Sequence, residues 1–224
     1  MKSMTVALWG DSIGRGVVYD DATGRYRISS QNLCAMLQKE FGRNVRNYAR
    51  MASTAKDGLA RMTPDRMEQG GIAVLQFGGN DCDMDWKAIS KDPSGNHQPR
   101  LQLNQFRDTL RTLVERAQLN HMEPVLITPP PVDAELYFKW LCQRLNGENI
   151  MKFIGDIHHM YRWQERYANA VSAVAHDTGA KLIDLRDAFL AENSIHSLLC
   201  SDGIHPNERG YMLFNDIARS ALAL

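Results

Sequence analysis

A serine placed directly after an apolar run is the first residue with chemical potential. In Gly10-Asp11-Ser12 the hydroxyl stands at the carboxyl end of a strand-like segment, and Ile13-Gly14-Arg15-Gly16 lets the chain turn and expose both the hydroxyl and the Ser12 N–H. Alone, the tripeptide reads as readily as a turn or a helix cap. A second element changes its meaning. Ser201-Asp202-Gly203-Ile204-His205-Pro206-Asn207 sets an acid and an imidazole three positions apart, a spacing that puts both on one side of a helical turn. A carboxylate accepting from Nδ1–H fixes the tautomer and leaves Nε2 free to take a proton from a serine. Pro206 is expected at the first position of the last helix. The third element, Gly78-Gly79-Asn80-Asp81, follows the most apolar strand candidate, so the Asn80 amide can donate to a developing oxyanion while the glycines admit substrate. The fourth, Asn47-Tyr48-Ala49-Arg50-Met51-Ala52-Ser53-Thr54, precedes a helix-like stretch and offers a backbone N–H near its start. Nucleophile, base, orienting acid and oxyanion donors are the parts of acyl transfer through a covalent intermediate.

These parts need a scaffold that brings distant residues to one face. Apolar runs at 5–9, 45–48, 72–77, 124–127 and 181–185 are four to six residues long and bounded by Gly, Asp, Asn or Pro, as buried strands are. Between them, helical spacing appears at 31–41 (Leu33, Leu37, Phe41, stopping at Gly42), 55–62, 104–120, 156–178 (stopping at Gly179) and 207–224, where Met212, Ile217 and Ala218 are expected to face inward. Alternating strands and helices predict a parallel sheet covered on both faces, with ligands beyond the carboxyl ends of its strands. Two connections, about 82–103 and 129–155, are longer than usual and fall near that edge; the second is expected to be partly helical.

With the four elements in this order, the sequence resembles the SGNH (GDSL-type) hydrolase family. Gly10-Asp11-Ser12 matches its GDS block, Gly78-Gly79-Asn80-Asp81 its GxND block, and Asp202-Gly203-Ile204-His205 its DxxH block. The resemblance implies an α/β fold, a flavodoxin-like three-layer α/β/α sandwich with a central parallel five-stranded sheet, filling 1–224 as a single domain. It implies Ser12 as nucleophile, His205 as base and Asp202 as its orienting acid. The oxyanion would be held by the Ser12 N–H, the Asn80 side chain and a backbone N–H from the second block. There the sequence departs: the family's usual glycine is replaced by Ala52, whose N–H serves if its φ stays in a region natural to L-residues. The reaction implied is ester or thioester hydrolysis with no metal and no cofactor. Residues that would contact substrate are Asp11, Gly79, Asp81, Tyr137 and Trp140, with Asp83, Asp85, Trp86 and His97 as a polar rim.

Composition bounds the alternatives. The 224 residues carry 26 Lys plus Arg and 26 Asp plus Glu, so no basic excess points to nucleic acid or an anionic membrane. The four cysteines are scattered, no signal peptide is recognisable, and no segment is long and apolar enough to span a bilayer; the expectation is a reduced, cytoplasmic protein acting on a small-molecule ester. Acetyl esters of carbohydrates are the first expectation, with lysophospholipids and thioesters open. A metal-dependent phosphoesterase would need histidines paired near the site, whereas the adjacent His158 and His159 read as surface or lid. A non-catalytic binding domain has no need of a complete triad. Exposed aromatics on the second long connection suit a lid or a homo-oligomer interface equally.

Overall fold

The computed structural model describes residues 5–222, apart from the side chains of Phe41 and Arg43. The expectations on Met1 to Met4, on the last two residues and on the side chain of Phe41 therefore lie outside the described residues. In chain order the elements are β1 (Val6–Gly10), α1 (Ser12–Arg15), β2 (Val17–Asp20), β3 (Arg25–Ile28), α2 (Leu33–Phe41), β4 (Val45–Asn47), α3 (Ala55–Arg61), β5 (Ile72–Gln76), α4 (Gly79–Cys82), α5 (Trp86–Ile89) and α6 (Leu103–Leu119). They continue with β6 (Glu123–Ile127), α7 (Ala134–Cys142), α8 (Gly147–Ile154), α9 (His159–Thr178), β7 (Lys181–Ile183), α10 (Leu185–Leu190) and α11 (Glu208–Leu222).

The central sheet is five-stranded in the order β4-β1-β5-β6-β7, with every pairing parallel. Alternation along β1 explains why both faces must be covered. Val6 and Leu8 join a core with residues of α2, α10 and α11, while Ala7 and Trp9 join another with residues of α3, α6 and α9. The chain leaves β1 for the β4 edge and returns to β5 on the other side, so the crevice between β1 and β5 is the switch point at which such sheets bind ligands. A third, smaller apolar cluster joins α5, α7, α8 and the start of α9. The two long connections thus pack on each other beyond the strand ends, tied by Trp86 Nε1 donating to Tyr137 Oη at 2.9 Å and Asn149 Nδ2 to Ser90 O at 2.8 Å.

Two local expectations are corrected. In α11 the inward face is Tyr211, Phe214 and Ala218, with Ile217 partly buried, whereas Met212 is exposed. Tyr211, Phe214 and Ala218 stand three and four residues apart on one face, which turns Met212 outward, and the buried Tyr211 hydroxyl donates to the Val17 carbonyl at 2.9 Å. Pro206 lies before α11 rather than at its first position; Asn207 is the cap, its Oδ1 accepting from Gly210 N–H at 3.0 Å. The antiparallel β2–β3 hairpin was not expected, although Val17 to Ile28 alternates on either side of Asp21-Ala22-Thr23-Gly24, a readable turn signal. All four cysteines are unpaired. Among the described residues no helix is long and apolar enough to cross a membrane.

Candidate active site

Ser12 enters from β1 and opens the one-turn helix α1, whose cap is Asp11, with Oδ1 accepting from Ile13 N–H at 2.8 Å. The buried Gln76 at the end of β5 accepts from Gly14 N–H at 2.8 Å and locks this turn to the sheet. From the far end of the chain, His205 brings Nε2 to 2.9 Å from Ser12 Oγ, and its Nδ1 lies 2.6 Å from Asp202 Oδ2. A carboxylate only accepts, so Nδ1 carries the proton and Nε2 is left to accept from the serine. The spacing of three works here without a helical turn. Asp202 Oδ1 accepts from the N–H groups of Ile204 and His205, both at 3.1 Å, folding 202–205 into a turn closed by a side chain. Gly203 makes that turn possible: its φ is +74°, and a Cβ there would meet Tyr137 N at 2.5 Å and Asp133 O at 2.8 Å.

Electrostatics favour a charged Asp202. Burial pushes its carboxyl up, but the His205 bond and charge, with the two backbone N–H groups, outweigh burial and hold it below its ordinary value. Tyr26 of the hairpin packs its ring 5.2 Å from the His205 ring, shielding the pair from solvent.

Ala52 and Asn80 approach the same corner. Among the described residues neither the Ser12 N–H nor the Ala52 N–H has an acceptor, as is needed of groups that receive a ligand. The φ of Ala52 is +59°, in the small left-handed region that L-residues enter only at a cost, and the N–H stays free to donate there. An L-residue there is disfavoured by about 1–2 kcal/mol, strain of the kind concentrated at functional turns. Ala52→Gly is therefore expected to raise stability by about 1 kcal/mol while leaving the backbone donor in place, a gain that thermal unfolding would register as a higher Tm.

Asp81, expected to touch substrate, does not line the cavity beside Ser12. It is fully buried, with Oδ1 accepting from Ala55 N–H at 2.7 Å and Oδ2 from Gly78 N–H at 2.9 Å, so it ties the Ala52 loop to the Asn80 loop from beneath. Burial, reinforced by the Asp11 charge, raises it to about 7 in spite of those bonds. Asp11 lines the site; burial raises it to about 6 against the Ile13 N–H, the His205 charge and the nearby Asn80 and Gln76 amides, and its Oδ2 has no well-aligned partner. An acid raised by folding keeps its proton where the unfolded chain ionises, so its contribution to stability is lost as pH rises from about 4 to 6. Asp11→Asn removes that titration but keeps an acceptor for Ile13. Between pH 4.5 and 7.5 the variant's stability relative to wild type is expected to improve by roughly 1–2 kcal/mol in urea unfolding.

Next to Ser12 opens a cavity of about 210 Å³. Its walls are largely apolar, with Met51, Met84, Met160, Trp86, Phe153 and Trp163 prominent. Gly79 and Tyr137 line it as expected, but the Tyr137 hydroxyl is spent on Asp83 at 3.0 Å. Trp140 does not line it; its ring packs edge-on against Tyr19, 4.5 Å between centroids, buttressing the hairpin. Of the rim residues Asp83 and Trp86 are present, whereas Asp85 caps α5 and His97 bonds the Asp92 carbonyl. His159, expected at the surface or on a lid, lines the cavity, stacked on Trp163. Tyr26 and Met51 were also missed, because no local pattern ties them to Ser12. Among the described residues no three His, Cys, Asp or Glu side chains are grouped so as to hold a metal ion.

A model of the GDSL-like lipase/acylhydrolase family matches residues 8–213. An isoamyl acetate-hydrolyzing esterase of Saccharomyces cerevisiae is 28% identical over 149 residues, 65% of this chain and 53% of that protein, so the match spans about half of the relative's length. Among solved structures, a lipase/acylhydrolase from Enterococcus faecalis superposes with a TM-score of 0.68 at 20% identity, over 98% of this chain and 95% of that one. An acetylxylan esterase from Geobacillus stearothermophilus does so with 0.64 at 21% identity, over 100% and 97%. At such identities the two structures speak to the shared α/β fold.

Proposed function

The chain belongs to the GDSL-like lipase/acylhydrolase family, and we propose that it is a carboxylic ester hydrolase that cleaves small apolar esters by attack of Ser12 on the carbonyl carbon. The observation that carries this reading is the hydrogen-bonded line from Ser12 through His205 to Asp202, at 2.9 and 2.6 Å, beside two backbone N–H groups without acceptors. As Oγ bonds to carbon, its proton passes to His205 Nε2, and Asp202 stabilises the imidazolium. The N–H groups of Ser12 and Ala52 and the Asn80 amide receive the oxyanion. His205 then protonates the departing alcohol, leaving an acyl-Ser12. Water attacks this acyl group, gives its proton to His205, and the collapse of the second oxyanion returns Ser12 with its hydrogen and releases the acid.

The cavity supports a short substrate. Its volume of about 210 Å³ is below the ~300–1,000 Å³ of drug-sized sites, which disfavours a long acyl chain and so the lysophospholipase reading. The apolar walls favour an aliphatic alcohol over a sugar, and Trp140, one of the two aromatics expected to contact substrate, packs on Tyr19 instead of lining the cavity. The yeast relative's name, an esterase for isoamyl acetate, agrees with this preference. In a panel of p-nitrophenyl esters, kcat/KM is expected to peak at two to four acyl carbons and to fall beyond eight, with isoamyl acetate hydrolysed faster than acetylated xylose. A preference for long chains or for the acetylated sugar would overturn the substrate assignment. Activity is expected to survive EDTA, which a metal-dependent phosphoesterase would not.

A further inference from the structure

Arg100 belongs to none of the four sequence blocks, yet it touches two of them. Its Nη1 donates to Asn80 Oδ1 at 3.2 Å and its Nη2 to the Ala52 carbonyl at 2.8 Å, so one guanidinium bridges the two loops beside Ser12. The backbone delivers it there: Arg100 N–H donates to Asp83 O at 2.9 Å and Leu101 N–H to Asp81 O at 3.0 Å, fastening the end of the 82–103 connection to the turn that carries Asn80. We propose that Arg100 is a positioning residue of the oxyanion site, holding the Asn80 amide and the left-handed Ala52 in the orientation that aims their N–H groups at the substrate oxygen. The proposal rests on the reading above that these two groups are donors.

The chemistry of the contact specifies the orientation. An asparagine amide has nearly equal ends, one accepting and one donating, and a free one flips between them. A guanidinium only donates, so the flipped amide would set N–H against N–H at Arg100; the oxygen is thereby held on Arg100 while the NH₂ is left on the side of the Asp11 carboxyl, which favours the same orientation. The second contact restrains the peptide that follows Ala52, where the φ of +59° needs support from its surroundings. A planar fork serves two acceptors at once, which the single ammonium of a lysine does not. Arg100 is exposed, so solvent screens its charge and its effect runs mainly through geometry.

The test is the kinetics of p-nitrophenyl acetate hydrolysis by wild type, Arg100→Met, Arg100→Lys, Asn80→Ala and the Asn80→Ala/Arg100→Met double variant. Arg100→Met is expected to lower kcat roughly 10–100-fold, less than the loss of a donor itself, with KM within about 3-fold and the midpoint of the pH profile unmoved. Arg100→Lys should fall between it and wild type, and the surface position should leave the Tm of both unchanged. In the Asn80→Ala background the same Arg100→Met change should lower kcat by only about 3-fold, because its main target is gone. An unchanged kcat, a raised KM with kcat intact, or equal losses in both backgrounds would overturn the proposal. If Asn80→Ala alone kept wild-type turnover, the donor reading would fail and the Arg100 role with it. Loss in Asn80→Ala without loss in Arg100→Met would overturn the Arg100 role alone.

Discussion

Ser12→Ala is expected to lower kcat for p-nitrophenyl acetate by roughly 10⁴–10⁶-fold and to abolish the burst of p-nitrophenol in stopped-flow records. The size follows from what the hydroxyl does: without it no acyl-enzyme forms, and only binding and oxyanion stabilisation remain to assist attack by water. Folding should be untouched. Ser12 Oγ contacts the His205 ring, and its loss leaves α1 held by the Asp11 cap and by Gln76. A variant of native Tm that retained wild-type turnover would show that the reaction proceeds elsewhere.

Asp202→Asn is the second large effect, expected to lower kcat by about 10⁴-fold. The amide oxygen can still accept from Ile204 and His205 N–H, so the turn survives. Its NH₂ would then face Nδ1, 2.6 Å away in the wild type, and force that nitrogen to accept. The proton moves to Nε2, which can no longer take one from Ser12. The loss should appear in kcat with little change in KM, since Asp202 lies behind His205, away from the cavity lining. A loss confined to KM would contradict this role.

Much of the fold was legible because strand and helix periods are local. All five sheet strands were located within a residue or two, and the three-layer architecture followed from their alternation with helices. The sequence blocks likewise named residues that the structure gathers at one corner, among them Ser12, Asn80, Asp202 and His205. What was not legible depended on partners far along the chain. Arg100 reaches Ala52 across 48 residues, and Tyr26 meets His205 only because a hairpin folds back over the strand ends. The burial of Asp81 depends on the N–H groups of Ala55 and Gly78, one of them 26 residues away. The Asp202–His205 spacing was read as a helical turn and is a side-chain-closed turn; three residues bring the two groups together either way. The sign of φ at Ala52 was beyond reach, because the residue type argued for the ordinary region and the surrounding loop imposes the other one.

The assignment of Ser12 as nucleophile is tested most directly by labelling with an activated phosphonate ester such as a p-nitrophenyl alkylphosphonate, whose phosphorus takes up the attacking oxygen and expels p-nitrophenol. Intact-mass and peptide spectra should show one adduct per chain, on Ser12, forming in step with loss of esterase activity and absent in Ser12→Ala and after unfolding. An adduct on another residue, or complete inactivation with Ser12 unmodified, would contradict the mechanism.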